Sequence, residues 1–403
     1  MTSLVMNPAL PAGKAKRIES IDLLRGVVML IMALDHARDY FNGSAYLFDP
    51  TDLSRTSVTL FFTRWITHFC APIFMFLAGV SACLYGLKKG RVALSFFLFT
   101  RGTWLLFAEL FIITLGWTFN FGYPVFILQV IWAFGVSMIA LSVLIFLDKR
   151  VILILGIVFI AAHNLLDTVH VPGHGAASVL WLALHEQGPF SIGPFSFFMG
   201  YPVLPWIGII AVGYCCGALY SAEYDPVKRK KALLSLGFGL IVLFVLLRFS
   251  NVYGDPSKWT GQKNAVFTLM SFLNTTKYPP SLLYTMMTLG PALVFLAFAE
   301  GPLNGLTRRI TIFGRVPMFF YILHIYLFHL IAVIAVVISG RPWSDMILTG
   351  WVSSNVKLKG YGFGLITVYG LWILVILVLY PLCKRYDIYK RAHQAKQWWL
   401  SYL

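Results

Sequence analysis

Residues 17–41, RIESIDLLRGVVMLIMALDHARDYF, carry ionisable groups at both ends of an apolar run. Asp22 and Arg25 stand near its start, and Asp35, His36, Arg38 and Asp39 near its finish. A histidine in that setting can act as a general base near neutral pH, and a neighbouring carboxylate can orient it. Successive helical residues point about 100° apart, so Asp35 is better placed to pair with Arg38 one turn on than with His36. Arg25 and His36 are eleven residues apart, which puts them within about 20° of one helix face and about 16 Å apart along the axis. One face then holds a cation at one end and an imidazole at the other. The plainer alternative is an interfacial charge cluster that only anchors the helix.

Other polar residues fall inside apolar runs. His324 lies mid-run in FGRVPMFFYILHIYLFHL, with Tyr321 one turn before it on the same side and His329 turned away. A deep ionisable group is costly and points to function before packing, although a histidine bonded to a carbonyl is a common structural outcome. Arg101 and Glu109 are eight residues apart in RGTWLLFAEL, close to one face. Arg25, Arg101 and Arg315 are expected at one depth, where three guanidinium groups form a phosphate-binding mouth or else snorkel to lipid headgroups. Gln129 is a lone amide in ILQVIWAFG, suited to substrate contact or helix–helix hydrogen bonding. Lys277, in KYPPS, is expected at the opposite rim, facing a substrate or lipid phosphate.

The elements that must position these groups are membrane helices. The 403 residues are 59% hydrophobic and only 12% charged, with a mean hydropathy of +0.77. That composition, with repeated apolar runs of about 20 residues, predicts an all-α, polytopic membrane bundle. Ten spans are expected, near 21–41, 66–87, 93–118, 124–146, 151–169, 201–221, 232–250, 281–300, 311–338 and 361–383. The third and ninth are long enough to bend, at Gly102 or Gly116 and at Pro317. Alternate loops hold 19 of the 32 Lys and Arg, which places those loops and both termini in the cytoplasm. Residues 1–17 read as a cytoplasmic tail and 18–403 as a single membrane domain. No short apolar core with a cleavage site precedes the first span, so that span is expected to stay. The remaining loops are long, nearly balanced in charge and rich in Gly, Pro and aromatics, as a structured substrate-facing surface would be.

The net charge of +16 follows the topology signal, with no basic stripe or stacking platform, and nucleic-acid binding is not expected. Cys70, Cys83, Cys215, Cys216 and Cys383 all fall in or beside apolar runs without metal-ligand spacing. His163, His170, His174 and His185 are loosely spaced, and no metal site is expected.

SIDLLRGVVMLIMALDH at 20–36, HFCAPIFMFLAGVSA at 68–82, RGTWLLFAEL at 101–110, QVIWAFGVSMI at 129–139, YPVLPWIGIIAVGY at 201–214, TKYPPSLLYTMMTLGPAL at 276–293 and FGRVPMFFYILHIYLFH at 313–329 carry a resemblance. The chain resembles the bacterial membrane proteins of domain of unknown function 1624, grouped with the catalytic domain of heparan-alpha-glucosaminide N-acetyltransferase. The resemblance implies acyl transfer across a membrane, from cytosolic acetyl-CoA to an amino sugar or glycan on the far side. The arginine at the start of the first span also looks like the wider integral-membrane acyltransferase group, where a histidine follows eleven positions later, here His36. The sugar acetyltransferase has an asparagine there and its catalytic histidine in the loop after the first helix. This chain has no obvious counterpart to that loop histidine, which favours His36 as the base.

On this reading Arg25, Arg101 and Arg315 hold the acetyl-CoA phosphates, and His36 acts as base with Asp35 beside it. His324, Gln129 or Tyr321 stabilises the thioester oxygen. Lys277 and Glu109 complete the substrate-binding set. The implied location is a bacterial cytoplasmic (inner) membrane. The implied partners are the bilayer, the acyl-CoA donor and an extracytoplasmic saccharide acceptor, with self-association left open. The competing reading is a proton-coupled transporter or exporter using Asp35, His36, Glu109 and His324 as a relay. Such a relay has no need of three arginines at one mouth.

Overall fold

The computed structural model describes residues 18–394 and 396–402; the expected tail at 1–17 lies outside the described residues. Helix α1, Glu19–Phe41, is the element the others surround. Glu19 and Asp22 in its first turn and Arg38 in its last complement the helix dipole. Its 23 residues extend about 35 Å. It ends at Asn42, whose side chain accepts from the Ser44 N–H and turns the chain.

Next come α2 (Val58–Trp65), α3 (Cys70–Lys89) and α4 (Arg91–Phe107). A π-helical turn over Ala108–Ile113 leads into α5 (Thr114–Thr118). Helix α6 is Val130–Leu144, α7 Lys149–Ala161, α8 Ala176–Leu184, α9 Leu204–Cys216 and α10 Pro226–Ser250. The last five are α11 (Ala265–Leu273), α12 (Leu282–Phe298), α13 (Gly305–Arg315), α14 (Pro317–Ile338) and α15 (Leu365–His393). Among the described residues, five helical stretches are long and apolar enough to cross a membrane: 58–89, 91–118, 226–250, 317–338 and 365–393. Those at 130–144, 204–220 and 282–298 are apolar but shorter. Helices α10 and α15 leave large apolar side chains exposed, such as Phe249 and Leu377, as a lipid-facing surface does.

The structure departs from the expected spans in three places. The ninth is two helices, broken at Val316 (φ −128°, ψ 50°), with Pro317 opening α14. Proline lacks an N–H and disfavours helical geometry in the residue before it, so a stop replaces the expected bend. Arg315 therefore sits at a helix C-terminus, where a cation is favoured. In the third span the distortion is the π-turn, not Gly102 or Gly116. There the Thr114 Oγ1 donates to the Glu109 carbonyl at 2.9 Å, five residues back. The fourth span begins at Val130, because Phe126–Leu128 instead forms strand β1. It pairs in parallel with β3 (Phe195–Met199), which pairs antiparallel with β2 (Gly188–Ile192). Among the described residues the fold is thus mostly helical with one small three-stranded sheet.

Glycines let the helices touch backbone to backbone. A Cβ at Gly314 would lie 2.0 Å from the Asp22 carbonyl oxygen, and one at Gly26 2.2 Å from that of Ile310. Close approach through small residues is how membrane helices gain packing when the lipid supplies no hydrophobic drive. This α1–α13 crossing sets Arg25 and Arg315 beside each other. Gly102 and Gly135 do the same for α4 and α6.

Candidate active site

The β1–α6 junction and the α13–α14 break both open onto one cavity of about 1400 Å³ that follows α1. Its walls include Arg25, Asp35, His36, Arg38 and Asp39 of α1, with Met29 and Met32 between them. Of the other candidates from sequence, Arg101, Gln129, Lys277, Arg315 and Tyr321 also line it, whereas Glu109 and His324 do not.

At the Arg25 end, the guanidinium donates to the Gly314 carbonyl at 3.2 Å and to Ser81 Oγ at 3.0 Å. Asp22 bridges two of the arginines, with Oδ1 3.5 Å from Arg25 Nη1 and Oδ2 3.5 Å from Arg315 Nε. Arg315 also faces Asp387 at 3.7 Å, and Arg391 meets the same carboxylate at 2.8 Å. Helix α4 returns antiparallel to α3 from the Gly90 turn, which brings Arg101 back to about the level of Ser81, its guanidinium 5.6 Å from the Phe97 ring centroid. Lys390 also lines the cavity. Asp22 and Asp387 temper this cationic group, and sequence reasoning gave neither a role. Their signal is only that each lies within one helical turn of a basic residue.

At the other end, Asp35 is saturated by arginines. Arg38 donates to Oδ1 through Nε at 3.2 Å and Nη2 at 2.8 Å, and Arg64 Nη1 donates to Oδ2 at 2.8 Å. Arg38 also reaches Asp39 at 2.7 Å. Asp35 pairs with Arg38, as its spacing predicts, and among the described residues its hydrogen bonds go to the two arginines and not to the His36 ring beside it. Arg64 arrives from α2, which sequence reasoning placed in a loop.

The partner of His36 is His324, with Nδ1 and Nε2 2.7 Å apart and the rings 4° from coplanar. His324 is fully buried, and its Nδ1 lies 2.8 Å from the Phe320 carbonyl. A carbonyl only accepts, so that Nδ1 carries a proton and its Nε2 is a lone pair. His36 Nδ1 must then donate to it, leaving His36 Nε2 unprotonated. Trp117 packs edge-on against the His36 ring at 4.9 Å and Tyr321 at 6.0 Å. His329, in contrast, bonds to the Gly116 and Met346 carbonyls and holds structure together.

Gln129 precedes α6, and its Nε2 is buried with no hydrogen-bond partner among the described residues. Glu109 sits behind it, fully buried, its Oε2 accepting from the Trp132 N–H at 2.7 Å. That carboxylate anchors the start of α6 and stays out of the cavity, so the expected substrate contact is absent in this arrangement. Lys277 Nζ lies 5.0 Å from the Tyr278 ring centroid and 5.9 Å from that of Tyr201. Burial pushes the Tyr278 phenol up, but the Lys277 and Arg64 cations outweigh it and hold the group below its usual range. Tyr201, Tyr278 and Trp351, all lining residues, were missed from sequence because aromatic residues are frequent in every loop.

Taken together, the cavity offers guanidinium groups for phosphates at one end and an imidazole lone pair at the other, with an unused amide donor in its wall. Residues 17–247 match the family model described as heparan-alpha-glucosaminide N-acetyltransferase, catalytic. Comparison with curated proteins returns no match. The matched stretch contains Arg25, Asp35, His36, Arg101, Glu109 and Gln129, and it spans more than half of the chain. The protein therefore belongs to the heparan-alpha-glucosaminide N-acetyltransferase catalytic-domain family.

Proposed function

We propose that this protein is an integral-membrane acyltransferase that moves an acetyl or other short acyl group from cytosolic acyl-CoA to a hydroxyl or amine of a saccharide on the outer face. The observation that carries this reading is the single cavity shared by Arg25, Arg101 and Arg315 with His36. In this reading the Arg25 end faces the cytoplasm, with both termini, and ten helices or helix pairs cross the bacterial inner membrane.

The arginines bind the donor's phosphates, and the acyl-pantetheine arm lies along the apolar wall that includes Met29 and Met32. His36 Nε2 removes the proton from the acceptor as its oxygen or nitrogen attacks the thioester carbonyl. The C–S bond breaks, the acyl group stays on the acceptor, and the CoA thiolate takes the proton from the imidazolium. Gln129 Nε2 and the Tyr321 hydroxyl donate to the carbonyl oxygen as its charge grows. His324 does not touch substrate; it positions His36 and sets its tautomer. Asp35 holds Arg38 and Arg64 at the acceptor mouth, where Lys277 and Tyr278 meet the saccharide. An acyl-histidine intermediate on His36 would use the same lone pair as nucleophile.

The transporter alternative gains no support. Asp35 is committed to two arginines and Glu109 to the start of α6, so neither of the two carboxylates expected in the relay is held for proton exchange.

The test is binding and transfer with purified protein in nanodiscs. Acetyl-CoA should bind by calorimetry, and the wild type should transfer labelled acetyl to an added glucosamine-containing acceptor. His36→Ala should keep the binding and lose the transfer. No CoA binding by the wild type would overturn the reading. Mass spectrometry of surface glycans from a deletion strain should show a lost acyl group and would identify the acceptor.

A further inference from the structure

Away from the cavity, three metal-ligating side chains converge where the ends of α7 and α8 meet the start of α12. His163 opens a 3-10 turn after α7, and Asp167 follows that turn. His185 closes α8. One ligand atom from each of the three lies within 4.8 Å of the other two. Sequence reasoning grouped His163 and His185 with His170 and His174; the structure pairs His170 with Glu186 instead and adds Asp167 to the cluster.

The hydrogen bonds around the cluster leave lone pairs over. His163 Nε2 lies 3.0 Å from the Pro280 carbonyl, so it carries the proton and donates. Its Nδ1 is therefore bare, and it is buried with no hydrogen-bond partner among the described residues. His185 Nε2 lies 3.2 Å from Asp167 Oδ1, and His185 Nδ1 is likewise buried and unpartnered. Both imidazoles are 2% exposed. Asp167 Oδ2 accepts from Asn164 Nδ2 at 2.9 Å, and Asn164 Oδ1 accepts from the Leu282 N–H at 3.0 Å. Two orphaned imidazole nitrogens in one cluster are costly unless a ligand takes them. A ring with one N–H donated to a backbone carbonyl and the other nitrogen bare is how metal-bound histidines are held, and a carboxylate steadied by an amide is held the same way.

We propose that His163, Asp167 and His185 bind one transition-metal ion of the zinc type, with solvent in the fourth position. Two imidazoles and a carboxylate suit zinc; calcium and magnesium require more oxygen ligands. Donors around tetrahedral zinc stand about 3.3 Å apart, so the widest separation here must close by about 1.5 Å, within reach of side-chain rotation.

The ion's work is mechanical. His185 is two residues from Gln187, which donates to the Gly200 carbonyl at 2.7 Å, and His163 holds Pro280 beside Lys277 and Tyr278. Gln187, Gly200, Tyr201, Lys277 and Tyr278 all line the cavity. The metal staples two segments of the cavity rim together and does not depend on what the cavity transfers.

Zinc content tests this directly. Untagged full-length protein in detergent is stripped with chelator, dialysed, titrated with zinc sulfate, gel-filtered and measured by mass spectrometry of the metal. The wild type should retain one zinc per chain. Asp167→Asn should bind at least tenfold more weakly, and His163→Ala and His185→Ala should retain none. Cobalt(II) added to the stripped wild type should give the visible absorption of a tetrahedral site, a readout that needs no variant to fold. A wild type that retains no zinc and shows no cobalt spectrum overturns the proposal, as do histidine variants that bind zinc as tightly as the wild type.

Discussion

His36 and His324, 288 residues apart in the chain, face each other at 2.7 Å, Nδ1 to Nε2, with their rings nearly coplanar. The Phe320 carbonyl fixes the proton on the far side of His324, and that choice propagates to the free nitrogen of His36. His324→Phe should therefore lower kcat by roughly 10²–10⁴-fold while leaving acyl-CoA binding intact, because it removes the acceptor that sets the tautomer. His324→Gln, which can offer a carbonyl oxygen to His36, should recover part of the loss. Steady-state kinetics alongside calorimetry separate the two effects; equal activity of the Phe and Gln variants would deny the tautomer role.

Arg25 and Arg315 share Asp22 at 3.5 Å each, so neither depends on the other for its charge partner. Arg315→Ala should weaken acyl-CoA binding by about tenfold to a hundredfold, the range of one lost charged hydrogen bond. The loss should shrink as salt rises and should be only partly repaired by Arg315→Lys, which cannot bind phosphate in two-pronged fashion. Calorimetry at two salt concentrations checks this.

Gln129 has a buried amide nitrogen with no partner among the described residues and lines the cavity. Loss of one donor to a developing oxyanion costs about 10²–10³ in rate. Gln129→Ala should show that loss in kcat, with the KM for donor nearly unchanged. A variant with normal kcat would remove Gln129 from the reaction and leave it a packing residue.

Glu109 serves α6, not the cavity. Glu109→Leu would strand the Trp132 N–H that now donates at 2.7 Å, and should cost about 1–3 kcal/mol of stability. Glu109→Gln keeps an acceptor oxygen and should cost less. Thermal denaturation in a fixed detergent checks the order, and acyl-CoA binding by the folded fraction of each variant should be unaltered.

The places where sequence reasoning succeeded share a physical basis. Arg25 and His36 fall on one helix face because helical periodicity is local and needs no knowledge of neighbours. The same holds for Asp35 with Arg38, one turn apart. Arg248 shows the opposite case. Nothing in its sequence setting marks it out, yet it is buried and donates to the carbonyls of Ser257, Ser271, Phe272 and Asn274, tying the end of α11 to the loop before it. The β1–β3–β2 sheet was missed for a related reason: Phe126–Leu128 is too short and too apolar to be told from the helix that follows.

The sequence by itself determined that this is a mostly helical membrane protein and placed a cation and an imidazole at the two ends of one helix. It did so because a bilayer forces backbone groups to be satisfied within each segment, which imprints helix length and face on the residue pattern. Only the tertiary structure decided that Arg25 and His36 line the same cavity, that His324 stands behind His36, and that Glu109 is turned away. Those facts depend on which helix faces meet, and that is decided by close contacts such as Gly26 against α13 and Gly314 against α1, between residues hundreds of positions apart.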